Sequence, residues 1–129
     1  MDTYGFLHKG YNKRTVTAVA CTDPAHTPHT ITADMSGQIF TNTDSDRQLV
    51  FDLPTLTGAS TRGLWYTFVK LTDDNVVIDA QAGDYIADSS SGGTITNSTA
   101  AEIYAQITLI AVADNMWAIE GAHGTWTTA

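Results

Sequence analysis

An apolar residue at every second position is the sequence feature that most constrains the fold. In segment 48–53, Leu49, Phe51 and Leu53 fall on one side of an extended chain, and segment 64–71 repeats the pattern. Successive side chains of a strand point to opposite faces, so a period of two indicates β-strands, whereas a helix would show a period of 3.6. Thr, which packs well on a pleated sheet, is common in the chain. The protein is therefore predicted to be nearly all β.

The strand pattern extends over most of the chain and is interrupted by turn residues. The predicted strands are 14–20, 37–43, 48–53, 64–71, 76–80, 85–86, 102–113, 116–120 and 123–128. One helical turn is predicted near 32–35, with Thr32 as its cap. We find no internal repeat and no linker. About eight to nine short antiparallel strands then predict a single-domain β-sandwich, jelly roll or barrel.

Composition supports one folded domain. The chain has 129 residues, of which 43% are apolar and 16% are charged, which is typical of a folded chain with one core. Its single cysteine, Cys21, excludes an intrachain disulfide. The fold must therefore be held by its core, by a metal or by neighbouring chains.

The charge is divided unevenly between an N-terminal arm, residues 1–14, and the β-domain, residues 15–129. The arm contains Lys9, Lys13 and Arg14 against the single acid Asp2, so it is net +2, and the total of −8 leaves −10 for the domain. An acidic body argues against partners such as nucleic acid and anionic membranes. A basic arm on such a body is instead expected to dock on an acidic protein surface, the alternative being a solvated tail. The predicted partner-binding residues of the arm are Tyr4, Phe6, Leu7, Lys9, Tyr11, Lys13 and Arg14.

Two features bear on location. The first residues show no cationic region followed by an apolar stretch, and no run of apolar residues approaches the length of a membrane helix. We therefore expect a protein that is made in the cytoplasm and is initially soluble there.

Candidate chemical sites are all incomplete in the sequence. His26 and His29 lie near Cys21 and Asp23, but their spacing matches no zinc pattern. Segment 42–46, with Asp44 and Asp46, begins like a calcium loop but lacks its glycine and its bidentate glutamate. Two residue pairs could serve as catalytic acid–base pairs, Asp73/Asp74 and Glu120/His123. Asp73 and Asp74 fit a turn better. No catalytic residue, metal or cofactor is predicted, and the protein is expected not to be an enzyme.

The aromatic residues allow two interpretations. Trp65, Trp117 and Trp126, with Tyr66 and Tyr104, could form a platform on which a sugar stacks. Three tryptophans in so small a chain more often belong to the core or to a subunit contact. Segment 64–71 is apolar on both faces, so its strand is expected to be central in a sheet or to lie at an interface. The same two-sided pattern in 103–112 is taken to favour a contact between subunits.

The order of the segments resembles small β-domains of tailed-bacteriophage structural proteins. The matching pieces are 32–40, 49–54, 63–69, 76–80, 83–86 and 107–112, followed by Trp117 and 124–126. The resemblance spans roughly residues 31–127 and its motifs are short, while the first 30 residues do not match. Such domains occur as capsid decoration (cement) proteins and as parts of tail or head fibres, commonly as trimers.

The resemblance implies a homotrimer that binds the major capsid protein and is located on the capsid surface of the virion. Decoration is favoured over a fibre because the chain is one domain without a repetitive shaft. The arm is then the expected capsid contact, and the rival interpretation is that it wraps a neighbouring subunit. A receptor- or carbohydrate-binding fibre domain and an unrelated carbohydrate-binding or enzyme-accessory module are the alternatives.

Overall fold

The computed structural model describes residues 13–21, 27–43 and 47–129, and it confirms the all-β prediction. Eleven strands lie in these residues: β1 (Val16–Val19), β2 (His29–Thr30), β3 (Ile39–Asn42), β4 (Leu49–Asp52), β5 (Trp65–Val69), β6 (Val76–Asp79), β7 (Tyr85–Ile86), β8 (Thr94–Asn97), β9 (Gln106–Ala113), β10 (Met116–His123) and β11 (Thr127–Thr128). The helical content of the described residues is two 3-10 turns, Ala33–Met35 and Gly58–Ser60.

The strands form two sheets. One has six strands in the order β1-β3-β5-β9-β10-β7, and the other has five in the order β11-β8-β6-β4-β2. From β1 to β6 the chain alternates between the two sheets, so that β1, β3 and β5 are parallel neighbours in one and β2, β4 and β6 in the other. This half of the domain is stacked like the coils of a β-solenoid. The later strands β8, β9, β10 and β11 add to the sheets by antiparallel pairing.

The prediction of eight to nine antiparallel strands is therefore wrong in two respects: there are eleven strands in the described residues, and part of the pairing is parallel. Five strand pairs in the described residues run parallel. Two parallel strands need a long connection between them, and such a connection allows the chain to cross to the opposite sheet before it returns. Strands β2 and β8 were not predicted, since residues 21–29 were expected to form a loop, and residues 102–105, predicted as strand, lie before β9. The predicted turn is confirmed, with Thr32 in an extended conformation at its N-terminus, although its hydroxyl binds Asp34 instead of a backbone amide.

An aromatic cluster fills the space between the sheets. The ring of Phe68 in the six-stranded sheet lies 5.7 Å from that of Phe40 and 5.1 Å from that of Phe51 in the opposite sheet. Tyr66 and Trp117 join this core and are completely buried, with ring centroids 5.8 Å apart. Each such side chain contributes about 1.5–3 kcal/mol by leaving water. Because the alternation sends these rings inward, the intervening residues of the six-stranded sheet point away from the core.

Candidate functional site

The candidate site is a surface. No pocket and no group of three or more possible metal ligands occurs in residues 13–21, 27–43 and 47–129. Within the same ranges, no helix has the length and apolar character that crossing a membrane requires.

One side of the six-stranded sheet is apolar and faces away from the core. We call this the outer face, and its side chains alternate with buried ones such as Phe40, Phe68 and Leu109. Strand register places Val16, Ile39, Thr67 and Thr108 side by side across four strands. The members of the outer face are Val16, Ala18, Ile39, Thr41, Trp65, Thr67, Val69, Thr108, Ile110, Val112 and Ala118. The exposure is large at Val16, 59%, and at Val112, 52%, whereas Thr41 and Thr67 are buried beneath their neighbours.

A single arginine crosses this face. The guanidinium of Arg14 lies 4.1 Å from the ring centroid of Trp65, and its Nε donates to the carbonyl oxygen of Gly37 at 2.7 Å. Its Nη2 donates to Gln38 O at 3.2 Å and to Thr67 Oγ1 at 2.9 Å. Partial desolvation lowers the pKa of Arg14. Arg14 therefore fixes the start of the domain to the outer face.

The polar atoms of the outer face are paired with one another. Thr67 Oγ1 accepts from Arg14 and lies 2.7 Å from Thr108 Oγ1, with which it shares a further hydrogen bond. The charge of Glu120 on β10 acts on Arg14 and raises its pKa, which partly offsets the desolvation. Arg14, Thr67 and Thr108 are thus hydrogen-bonded to one another within the outer face.

Three exposed apolar side chains lie close together beyond the end of β5. Leu71 follows β5 and is 41% exposed, and Ile103 and Tyr104, in the turn before β9, are 43% and 71% exposed. The backbone joins them, since the amide of Tyr104 donates to Lys70 O at 2.7 Å and that of Lys70 donates to Ala105 O at 2.8 Å. We call these three residues the exposed tip.

A polar network that runs from the buried Lys70 to the surface lies next to the exposed tip. The side chain of Lys70 is completely buried, and its Nζ donates to Asn97 Oδ1 at 3.1 Å and to Thr99 O at 2.7 Å. Glu102 accepts from Asn97 Nδ2 at 2.8 Å and from both the amide and the hydroxyl of Thr125, at 2.7 and 2.9 Å. Three segments that are distant in sequence, at Lys70, 97–102 and Thr125, thus meet at one end of the sheets.

The network shifts two pKa values in ways that its geometry explains. Burial lowers the pKa of Lys70, and the negative charges of Glu102, Asp73 and Asp74 oppose that effect. The pKa of Glu102 is lowered first by the backbone hydrogen bond from Thr125, and then by its side-chain hydrogen bonds. A carboxylate that accepts several hydrogen bonds stays ionised, so Glu102 supplies negative charge close to the buried ammonium.

The predicted partner-binding residues lie partly outside the described residues. Tyr4, Phe6, Leu7, Lys9 and Tyr11 belong to that part, so only Lys13 and Arg14 can be placed. Lys13 is exposed, and Arg14 is bound to its own sheet.

The residues considered for metal binding are not brought together in the described part of the chain. Cys21 is buried, and His29 packs against the rings of Phe40 and Phe51 at 6.0 and 5.9 Å. Asp23, His26, Asp44 and Asp46 lie outside the described residues. Asp73 and Asp74 occupy the bend between β5 and β6, as predicted, and Glu120 and His123 are exposed on β10.

The five aromatic residues considered as a sugar platform are separated. Tyr66 and Trp117 are core residues, and Trp65 lies under the Arg14 guanidinium. Trp126 is partly buried against the core, and its Nε1 donates to His123 O at 3.1 Å. Tyr104 is the member with a largely exposed side chain.

The Lys70 network was not predicted from the sequence. A signal for it exists, because Lys70 is a lone cation within segment 64–71, which is apolar on both faces. A lysine in such a strand must find buried acceptors, but those acceptors come from segments far away in the sequence.

Comparisons with known proteins do not identify a relative. No protein-family profile matches this chain, and no curated protein matches it.

Proposed function

We propose that this protein is a structural component of a phage virion. In this proposal it assembles as a homotrimer, binds the major capsid protein on the outer surface of the capsid and stabilises the shell. It acts through surfaces and not by catalysis. The segments between residues 32 and 126 that resemble phage structural β-domains support a place in the virion. The basic arm supports attachment to an acidic protein surface.

The observation that supports association of subunits is the apolar outer face of the six-stranded sheet. Monomeric soluble proteins rarely expose a large contiguous apolar patch, and interfaces between permanent subunits are rich in such surface. Here the outer face of a six-stranded sheet includes two exposed side chains, Val16 and Val112, and the partly exposed Trp65 and Ile110. Closed rotational symmetry would bury such a face in every copy.

The assembly is tested by sedimentation velocity on two matched variants. Val112→Asp places a carboxylate on the outer face, and Val77→Asp places one on the outward side of β6 in the other sheet. We expect Val112→Asp to give folded monomers, judged by an unchanged far-UV circular dichroism spectrum, and Val77→Asp to sediment as the trimer. A wild-type protein that sediments as a 13.8 kDa monomer at micromolar concentration would contradict the proposal.

The attachment is tested with expanded, undecorated capsids of the phage that encodes the chain, followed by sedimentation and electron microscopy. We expect the wild type to bind stoichiometrically and a variant lacking residues 2–13 to remain trimeric but lose binding. Unchanged binding of that variant would place the capsid contact outside the arm, and its dissociation into monomers would assign the arm to subunit assembly. Binding to host glycans without binding to capsids would favour the alternative, a receptor- or carbohydrate-binding fibre domain.

A further inference from the structure

Lys70, Asn97 and Glu102 form a row of hydrogen-bonded side chains at one end of the two sheets. Lys70 Nζ lies 3.1 Å from Asn97 Oδ1, and Asn97 Nδ2 lies 2.8 Å from Glu102 Oε1. Lys70 and Asn97 are completely buried. Because an ammonium donates and a carboxylate accepts, these two neighbours fix which atom of the Asn97 amide is the oxygen. The amide carbon of Asn97 is thus bonded to the atom that the Lys70 amine contacts.

The buried amine of Lys70 has no carboxylate as a hydrogen-bond partner in the described part of the chain. Its Nζ donates to Asn97 Oδ1 and to Thr99 O, which are both uncharged oxygens. Burial of a charge is costly, and burial accordingly lowers the pKa of Lys70, although three nearby carboxylates oppose the effect. A desolvated lysine is the better nucleophile, because more of it is present as the neutral amine.

Two further contacts prepare the Asn97 amide for attack. The backbone amide of Thr99 donates to Asn97 Oδ1 at 3.1 Å, so it would stabilise negative charge that develops on this oxygen. Glu102 accepts from Nδ2, the nitrogen that would leave, at a distance over which a general acid or base transfers a proton. Glu102 is itself oriented by the amide and the hydroxyl of Thr125. A nucleophile, a polarised carbonyl and a proton carrier therefore lie next to one another.

We propose that Lys70 and Asn97 become joined by an isopeptide bond, with Glu102 as the residue that transfers the proton. The Nζ–Cγ bond forms when the neutral amine attacks, and the electron pair of the carbonyl π bond moves to Oδ1. The pair then returns, the Cγ–Nδ2 bond breaks, and one proton passes from Nζ to Nδ2 through Glu102, so that ammonia leaves. The reaction balances without an oxidant or a co-reactant. It occurs once in each chain and modifies the chain itself, so it does not depend on the assembly proposed above.

The bond would connect the two sheets. Lys70 directly follows β5 of the six-stranded sheet, and Asn97 is the last residue of β8 in the five-stranded sheet. The reaction would replace a buried charge by a neutral amide and would close a loop of the chain, which restricts the unfolded state. A chain with a single cysteine has no intrachain disulfide, and this bond would give it a covalent link that reducing agents do not break.

Mass spectrometry of the full chain under denaturing conditions tests the bond. We expect the wild type to be lighter than its sequence by the mass of one ammonia molecule. Cleavage on the N-terminal side of aspartates would place Lys70 in peptide 52–72 and Asn97 in peptide 88–113. The two peptides should be recovered as one joined species, and fragmentation should locate the link at these two residues.

Three variants assign the roles of the side chains. Lys70→Arg keeps a cation but cannot form this amide, so it should have the full mass of its sequence. Glu102→Gln keeps an oxygen that can accept from Asn97, so it should fold, judged by far-UV circular dichroism, and should also stay unlinked. Glu120→Gln is the matched control, because it makes the same substitution at an exposed position of β10 and should become linked as the wild type does.

The other outcomes overturn the proposal. A wild type that keeps the full mass of its sequence after prolonged incubation at neutral and alkaline pH would refute the bond. A loss of ammonia that persists in Lys70→Arg would show that an asparagine has closed on its own backbone as a succinimide, which would also refute it. A linked Glu102→Gln chain would refute the part of the proposal that assigns proton transfer to Glu102.

Discussion

Gly124→Ala tests whether the Lys70 network is as tightly packed as the structure shows. Gly124 has a φ of +98°, and a Cβ placed there would lie 2.8 Å from Ala105 Cβ and 3.0 Å from Glu102 Oε1. The same atom would lie 3.3 Å from Asn97 Nδ2, so the new methyl group meets the centre of the hydrogen-bond network. The substitution therefore adds backbone strain and also crowds the buried side chains of Ala105 and Asn97.

The two effects can be estimated separately. A left-handed backbone costs an L-residue about 1–2 kcal/mol, and overpacking of a filled site costs about 1–3 kcal/mol. We therefore expect Gly124→Ala to lower the free energy of unfolding by about 2–5 kcal/mol. For a domain of this size, that corresponds to a melting temperature lower by about 6–20 °C.

Gly83→Ala is the matched control for the strain alone. Gly83 has a φ of +91°, and nothing lies within 4 Å of the position that a Cβ would take. It should lose about 1–2 kcal/mol. The measurement is urea unfolding followed by circular dichroism at one fixed protein concentration, because assembly would make stability depend on concentration. Equal losses in the two variants, within about 0.5 kcal/mol, would refute the packing argument.

Three further changes test the core, the opposite sheet and the Arg14 contact. Phe68→Ala should cost about 3–5 kcal/mol in urea unfolding, because the ring is fully buried between two others. The pKa of Asp79 is raised by burial and by the charge of Asp52 on the neighbouring strand, so the free energy of unfolding should fall as the pH rises above the usual Asp range. Asp79→Asn should flatten this decline in urea titrations at several pH values and stabilise the protein at pH 7 by about 0.2–1 kcal/mol. Arg14→Lys should cost about 0.5–1 kcal/mol and shift the tryptophan emission, because lysine cannot both stack on Trp65 and reproduce the forked hydrogen bonds.

The sequence alone determined most of the strands and their inward faces, and it missed β2 and β8. Leu49, Phe51 and Leu53 were expected on one face of a strand, and all three are buried. The period of two is a local property of an extended chain, so it can be recognised without knowledge of any partner. Strand β8 was missed because Thr94, Thr96 and Asn97 leave Ile95 as its single apolar residue, and its signal is correspondingly weak.

Only the tertiary structure decided which strands pair and which side chains meet. The alternation in β3 and β5 is the same for a parallel and an antiparallel neighbour, so the sequence could not show that these strands stack in solenoid-like coils. Trp65 and Trp117 occupy similar strand segments, yet one lies under Arg14 on the outer face and the other is fully buried. Burial, pairing and the Lys70 network depend on contacts between residues that are far apart in the chain, and these contacts form only when the two sheets come together.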